Sequence, residues 1–312
     1  MQNTPPDPRQ LVVLTVTYHP DLQPLARQFA ALPADAWLIV VDNASYEDEI
    51  AAVERLVRAR PRSTLIRNAA NRGLAAALNQ AAAHAFEQIP EGQYLLLMDQ
   101  DSVPEPGAVE SLLTAYAALR ERDPRVACVG PRLVDASTGL PHGFHCIAGW
   151  RWVRRYSEAG DRSPIACANL NGNGTLMHAD LFRTLGGLDE TLFIDHVDTE
   201  WSFRVLNKGL LLYGIPWTAF EHGMGERGLK FWLLGWRIWP HRSPQRHYYL
   251  FRNALWLMRR DYVPRVWKTW AAVKLLLTLA AQALIDPRRG AQLRCMVQGL
   301  RDGMTTQPDT TP

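Results

Sequence analysis

The sequence predicts an α/β fold with a mostly parallel central sheet and a helical extension at its C-terminal end. Three observations carry this. Short apolar runs alternate with helical patterns along the first hundred residues. Acidic residues stand just past the ends of those runs. From about residue 230 the composition turns basic and tryptophan-rich.

Leu11 to Tyr18 (LVVLTVTY) is continuous and β-branched, as a strand buried on both faces of a parallel sheet must be. Trp37 to Val41 is a second such run, Ser63 to Arg67 a third and Tyr94 to Met98 a fourth. Helical patterns lie between them near 22–31, 47–59 and 74–87, which makes successive βαβ units. Val126 to Val129 reads as a further strand, residues 140–165 as a loop-rich segment and Asp198 to Asn207 as a helix. The expected organisation is a catalytic domain over 1–229, a basic helical extension over 230–301 and a disordered tail over 302–312.

Composition narrows the class. The chain has 312 residues, enough for one large domain and an appendage. The start, MQNTPPDPRQ, lacks a basic region followed by an apolar one, so a cytoplasmic protein is expected. Cys128, Cys146, Cys167 and Cys295 are scattered without a CxxC pair, which fits reduced thiols rather than a zinc site or disulfide framework. The net charge of +3 conceals an asymmetry. Residues 230–301 hold 14 Lys and Arg against two acids, for +12, and six of the 11 tryptophans; residues 1–229 carry −7. Basic residues mixed with Trp and Leu suit an anionic membrane surface better than nucleic acid. Gly228 to Trp239 is apolar on all sides, so it suits either core or membrane contact. In Pro264 to Ile285 the apolar part spans only the 16 residues from Trp270 and includes Lys274 and Gln282. A crossing helix needs ~20 mostly apolar residues, so an interfacial helix is expected, with a packed core helix as the alternative, making the protein peripheral on the inner face of the membrane.

Ligands of open α/β sheets collect at the carboxyl ends of the strands, where Asp42, Asp99 and Asp101 stand. Two carboxylates two residues apart, after a buried strand, can both reach one hard cation such as Mg²⁺ or Mn²⁺. Asp42, in VDNAS, could accept from a ribose hydroxyl or a base N–H, or could cap the next helix. In NAANRGLAAALN, Gly73 permits close backbone approach, and the following helix presents its N-terminus to whatever sits there. Neither GxGxxG nor GxxxxGK[ST] is present. A second acidic cluster comprises Asp189, Glu190, Asp195, Asp198 and Glu200. On a helix over 195–204, Asp195 and Asp198 would share a face, Glu200 would point elsewhere, and Val197, Trp201 and Val205 would anchor it in the core. A carboxylate held at a cleft edge in this way could act as a general base.

Taken in order, VTYHPD (16–21), VVDNAS (40–45), NRGLAAALN (71–79), LLLMDQDS (95–102), NGNGTLM (171–177), GGLDETLFIDHVDTEWSFR (186–204), His222 and RHYYLFRN (246–253) make the chain resemble the family 2 glycosyltransferases, and among them the bacterial rhamnosyltransferases. The resemblance covers roughly residues 10–260 by this pattern reading. It implies a GT-A fold and an inverting transferase using a nucleotide-diphosphate sugar, dTDP-L-rhamnose in the rhamnosyltransferases and UDP sugars in other members. It implies that Thr17 and Asp42 line the base and ribose pocket with Tyr18 and Gln100 near them, that Asn71 and Gly73 place the nucleotide, and that Asp99 and Asp101 hold Mg²⁺ or Mn²⁺ with His222 close by. Asp198 matches the catalytic base. Members often carry Glu-Asp before that helix where this chain has Val197-Asp198, and Asp195 is the candidate to compensate. The implied acceptor is a saccharide; were it lipid-linked, the basic, tryptophan-rich end would hold the enzyme beside it. A nucleotide-sugar-binding protein without turnover is the alternative, and the intact acids argue against it. A nucleotidyltransferase would carry a Gly-rich N-terminal loop, which VTYHPD does not provide.

Overall fold

A computed structural model describes residues 6–158, 160–223, 229–232, 236–239 and 242–306. Five elements follow the sequence pattern closely: β1 (Leu11–Thr17), α1 (Leu22–Ala31), β2 (Trp37–Asp42), α2 (Glu47–Arg58) and β3 (Ser63–Arg67). The next six are α3 (Leu74–Gln88), β4 (Tyr94–Asp99), β5 (Ser102–Pro104), α4 (Ala108–Arg122), β6 (Val126–Asp135) and a hairpin begun by β7 (Phe144–Ala148). That hairpin closes with β8 (Arg151–Arg155); β9 (Ile165–Cys167), β10 (Leu176–His178), α5 (Ala179–Thr184), α6 (Val197–Asn207) and β11 (Leu211–His222) follow. Beyond them come a second hairpin, β12 (Leu229–Trp232) with β13 (Trp236–Trp239), and the helices α7 (Pro244–Arg259), α8 (Arg265–Ile285) and α9 (Arg289–Thr305).

The main sheet has the order β3-β2-β1-β4-β10-β6-β11-β5, with β9 beside β11. Its long pairings, β1 with β2 and β4, β2 with β3 and β6 with β11, are parallel. The short strands β10, β5 and β9 insert antiparallel. Leu11, Val13, Leu38, Val40, Leu96 and Met98 pack under α1, α2 and α4 on one face. Val12, Leu14, Ile39, Val41, Leu95 and Leu97 pack on the other under α3, α5 and α6. Burial on both faces is why these strands read as unbroken apolar runs. The second core continues without a break through Leu250, Phe251, Ala254 and Leu257 of α7, Trp267 and Ala271 of α8 and Met296 of α9. Residues 244–305 therefore close the same core that the sheet opens. The close approach of α9 to α7 depends on Gly299, where a Cβ would lie 2.4 Å from the Tyr248 carbonyl oxygen.

Three local expectations change. The segment 140–165 contains the β7–β8 hairpin, stabilised by cross-strand pairing that its glycines obscure in the sequence. The helix after the acidic loop begins at Val197, so Asp195 lies outside it. The last helix runs through Thr305, so the expected tail is helical over 302–305, and 307–312 lie outside the described residues. Of the apolar segment at 228–239, residues 229–232 and 236–239 form the second hairpin; residues 228 and 233–235 lie outside the described residues.

Candidate active site

A cleft of about 760 Å³ opens over the carboxyl ends of β1 and β4. Asp99 enters it from the last position of β4, Asp101 from the turn that follows, and His222 from the end of β11. The antiparallel register of β11 with β5 sets His222 opposite Ser102. His222 Nδ1 lies 2.8 Å from Ser102 Oγ and 3.3 Å from Asp101 Oδ1. Asp99, Asp101 and His222 each offer a ligand atom, all within 4.8 Å of one another. Burial pushes the Asp99 carboxyl up to about 6; His222 opposes the rise, while Asp101 and Asp198 add to it. Burial would lower His222, but its bond to Asp101 and the charge of Asp99 win and raise it. Two oxygen donors and one imidazole, with carboxylates crowded together, fit a hard divalent cation that would neutralise them.

The turn is braced from behind. Gln28, buried on α1, donates to the backbone oxygens of Asp99 (2.6 Å) and Ser102 (2.7 Å) and accepts from Thr15 Oγ1. Gln100 makes a paired contact with the Tyr18 backbone, accepting from its N–H at 2.7 Å and donating to its oxygen at 3.1 Å. Asn173 Oδ1 faces the Asp99 N–H at 3.4 Å.

The nucleotide-side residues divide. Tyr18, Asn71, Gly73 and Gln100 line the cleft. Thr17 and Asp42 are fully buried and face each other: Thr17 Oγ1 donates to Asp42 Oδ2 at 2.8 Å, and Ser45 supplies two further bonds from its N–H and hydroxyl. Asp42 thus tightens the turn before α2 in the manner of an Asx-turn, while Tyr46 is the N-cap of that helix. Beside it, Asn43 donates to Asn71 Oδ1 (3.0 Å) and the Gly73 oxygen (3.1 Å) and accepts from the Arg72 N–H. The close approach that Gly73 permits is to Phe193: at φ 86° a Cβ would lie 2.6 Å from Phe193 Cδ2, and the Leu74 N–H donates to the Phe193 oxygen at 2.6 Å.

Asp198 stands in the first turn of α6 and lines the same cleft. Its carboxylate accepts from the Thr199 N–H at 2.8 Å and the Gly172 N–H at 3.2 Å. Burial raises its pKa against those bonds, and Asp195 adds to the rise. Val197, Trp201 and Val205 are buried and anchor the helix, as their spacing predicts. Glu200 is also buried, paired with Arg204 at 2.7 Å and with Arg260 and Tyr262 of the C-terminal part.

Asp195 has other partners. Its carboxylate pairs with Arg242 and, at 2.9 Å, with Arg246. Burial would raise it, but the two guanidinium groups hold it below the usual carboxylate range. Phe193, Asp195 and His196 all have positive φ. At Phe193 (φ 63°, ψ −64°) the Ile194 N–H reaches the Leu192 oxygen at 2.7 Å, a strained γ-turn. Asn253, fully buried on α7, holds this loop by donating to the oxygens of Leu192 (2.7 Å), Ile194 (2.7 Å) and Asp195 (2.9 Å). Tyr249 stacks on Phe193 with centroids 4.8 Å apart.

Sequence reasoning missed Gln28, Asn43 and Asn253 as site residues. Gln28 and Asn253 do leave a signal: each is a polar residue at a core position of an amphipathic helix, between Leu25 and Phe29 and between Leu250 and Ala254.

The sheet order, the acidic triplet at the end of β4 and the facing acid of α6 define a nucleotide-sugar-dependent glycosyltransferase of the GT-A fold. Known structures agree on the fold. The mannosyltransferase PcManGT from Pyrobaculum calidifontis, solved with GDP-Man and Mn²⁺, aligns with a TM-score of 0.54 over 97% of this chain and 90% of that one, at 20% identity. GalNAc-T7, solved with UDP, GalNAc and Mn²⁺, aligns with a TM-score of 0.58 over 95% of this chain at 16% identity, and this chain spans 56% of it. In sequence, residues 22–186 match the model of glycosyl transferase family 2, and the chain belongs to that family. It is 29% identical over 258 residues, 81% of each chain, to the dTDP-rhamnosyl transferase RfbF of Shigella flexneri. It is 25% identical over 240 residues, 68% of this chain and 75% of the relative, to the N-acetylglucosaminyl-diphospho-decaprenol L-rhamnosyltransferase of Mycobacterium tuberculosis.

Proposed function

We propose that this enzyme transfers L-rhamnose from dTDP-L-rhamnose to a hydroxyl of a lipid-linked saccharide, with inversion, in cell-surface polysaccharide assembly. The observation that carries the reading is one cleft shared by the Asp99–Asp101–His222 cluster and Asp198, in a chain similar to two rhamnosyltransferases. Tyr18, Asn71, Gly73 and Gln100 border the nucleotide, with Thr17 and Asp42 shaping the wall behind them. Asp99, Asp101 and His222 would hold Mg²⁺ or Mn²⁺, and a cation there would supply positive charge against the leaving diphosphate. Asp198 accepts the proton of the attacking acceptor hydroxyl as its oxygen bonds to the anomeric carbon and the bond to the diphosphate breaks. Two backbone N–H bonds orient that carboxylate, and burial makes it a better base than a solvated one. Asp195 contributes by fixing Arg242 and Arg246 rather than by taking the proton.

The segment 230–301 is read as the acceptor- and membrane-proximal part, the protein sitting peripherally on the cytoplasmic face. Among the described residues no helix is long and apolar enough to cross a membrane. α8 leaves Val273, Leu276, Leu277 and Leu284 exposed along one stripe, within a segment of charge +12. That combination suits an anionic bilayer surface.

The test measures turnover of dTDP-rhamnose, UDP-GlcNAc, UDP-galactose and GDP-mannose, each with Mg²⁺, with Mn²⁺ and with EDTA. Metal-dependent turnover of dTDP-rhamnose alone is expected. Turnover of a UDP sugar instead would keep the mechanism and discard rhamnose; binding of donor without turnover would discard the enzyme.

A further inference from the structure

The far side of the cleft from the metal cluster is cationic and aromatic. On β8, Trp152 and Arg154 are two residues apart and so share a face of the hairpin, and both line the cleft. His145 of β7 lies directly opposite Arg154 in the register and stacks on Trp152 at 5.4 Å. On α8, Trp270 and Lys274 are one turn apart; the Trp270 ring centroid is 5.9 Å from that of Trp152, and the Lys274 ammonium is 4.7 Å from it. Arg242 borders the same mouth. Among the described residues the carboxylates lining the cleft are Asp99, Asp101, Asp195 and Asp198. Asp195 is already taken by Arg242 and Arg246, and among the described residues no carboxylate pairs with Arg154 or Lys274. Desolvation first, then Arg242 and Arg154, hold the Lys274 ammonium below its usual pKa, so these cations share one field.

We propose that this mouth is a phosphate subsite for the acceptor: Arg154 and Lys274, supported by Arg242, bind the phosphate or diphosphate on the anomeric carbon of the acceptor sugar, while Trp152 and Trp270 give its ring an apolar wall. The inference rests on the glycosyltransferase reading of the cleft and names the acceptor class within it. A phosphate presents several oxygens to cations on two different elements, which a neutral glycoside cannot do. Lys274 and the exposed stripe of α8 lie on one helix, so an acceptor whose phosphate sits here has its lipid directed along the surface that the stripe presents.

Binding in EDTA separates this subsite from the metal-dependent donor site. The probes are a short-chain alkyl GlcNAc diphosphate, the neutral alkyl GlcNAc glycoside and an alkyl glucuronide, titrated calorimetrically into the full chain. The diphosphate is expected to bind at least about tenfold more tightly than the other two, and R154Q and K274Q each to weaken it about tenfold while leaving the neutral glycoside unchanged. D101N is expected to leave diphosphate binding in EDTA intact. Equal binding of the diphosphate and neutral probes, no binding, or no response to R154Q and K274Q would overturn the proposal. Glucuronide binding as tight as the diphosphate would overturn the assignment to phosphate, and loss in D101N would move the probe to the donor site. Mg²⁺-dependent dTDP binding, measured in parallel, is expected in the wild type and in both variants. Its absence from the wild type would instead overturn the reading of the donor site.

Discussion

The two walls of the cleft are built by different physics. The donor wall stands on β1, β2 and β4, whose parallel register delivers Asp99 and Gln100 beside Tyr18 through strand ends alone. The facing wall, which carries Asp198, hangs on residues 189–196, a segment with three non-glycine residues at positive φ, held by side chains 50 to 60 positions later in the chain. The first wall follows from pattern and propensity; the second is an unfavourable backbone path made stable by bonds that close only when α7 docks. Strain of this kind costs about 1–3 kcal/mol per residue and persists where the surroundings over-determine it.

The comparison can be broken hardest at the chemistry. Asp198→Asn should lower kcat by about two to four orders of magnitude with donor binding and fold retained, because it removes the base and keeps the shape. Asp195→Asn should cost far less in kcat, since its partners are Arg242 and Arg246; steady-state kinetics on both variants decides whether the two acids differ in role. Equal losses would mean that Asp195 shares the proton.

Asn253→Leu tests the clamp. The Ile194 and Asp195 carbonyls lose their donor, while that of Leu192 keeps the Ile194 N–H, and at about 1–3 kcal/mol per unsatisfied buried group the chain should be destabilised by several kcal/mol in denaturant unfolding, with residual activity reduced in the folded fraction. Gln28→Leu, which frees the carbonyls of Asp99 and Ser102 on the donor wall, should cost less, about 1–3 kcal/mol, because the sheet still carries the turn. If Gln28→Leu cost more than Asn253→Leu, the contrast between the walls would be wrong.

Gly73→Ala joins the walls in one residue. Its Cβ would enter the Phe193 ring and carbonyl at a positive φ, so about 1–3 kcal/mol of destabilisation is expected, together with a raised donor KM. The smallest effect is a pH dependence. Asp195 is held below its ordinary pKa, so its pairing adds stability that is present above the ordinary carboxylate range and is lost as pH falls through the depressed value. Asp198 shifts the other way, so kcat/KM should fall on the acid side at a pH above that of an ordinary carboxylate. Unfolding and rate profiles between about pH 3 and 7 read these separately.

How much was legible in the sequence follows the same division. α1 and β3 have the expected bounds, and β1, β2 and β4 differ by one residue, the last three because strands buried on both faces leave no choice of pattern. The acids after β4 were legible for the same reason. What could not be read was where Asp195 points. Its orientation depends on Arg242, Arg246 and Asn253, and no local period connects residues so far apart. Asp42 shows the limit from the other side: the sequence permitted a ligand, an Asx-turn or a cap, and the bonds from Thr17 and Ser45 that make it a turn residue are not visible in any local pattern. The β7–β8 hairpin was missed because Gly143 and Gly149 beside β7 read as loop and hide the pairing.

Asn253 also bears on how such an enzyme could be recombined. A composition break near residue 230 invites a chimera joined there, with one parent's donor sheet and another's C-terminal helices. Such a junction would separate Asn253 from the carbonyls it grips, Tyr249 from Phe193, and Arg260 from Asp189 and Glu200. The transplantable unit begins before the acidic loop, near Gly186, and runs through α9. Acceptor specificity would move between relatives as that longer cassette together with the β7–β8 hairpin, which carries Trp152 and Arg154 of the proposed phosphate subsite.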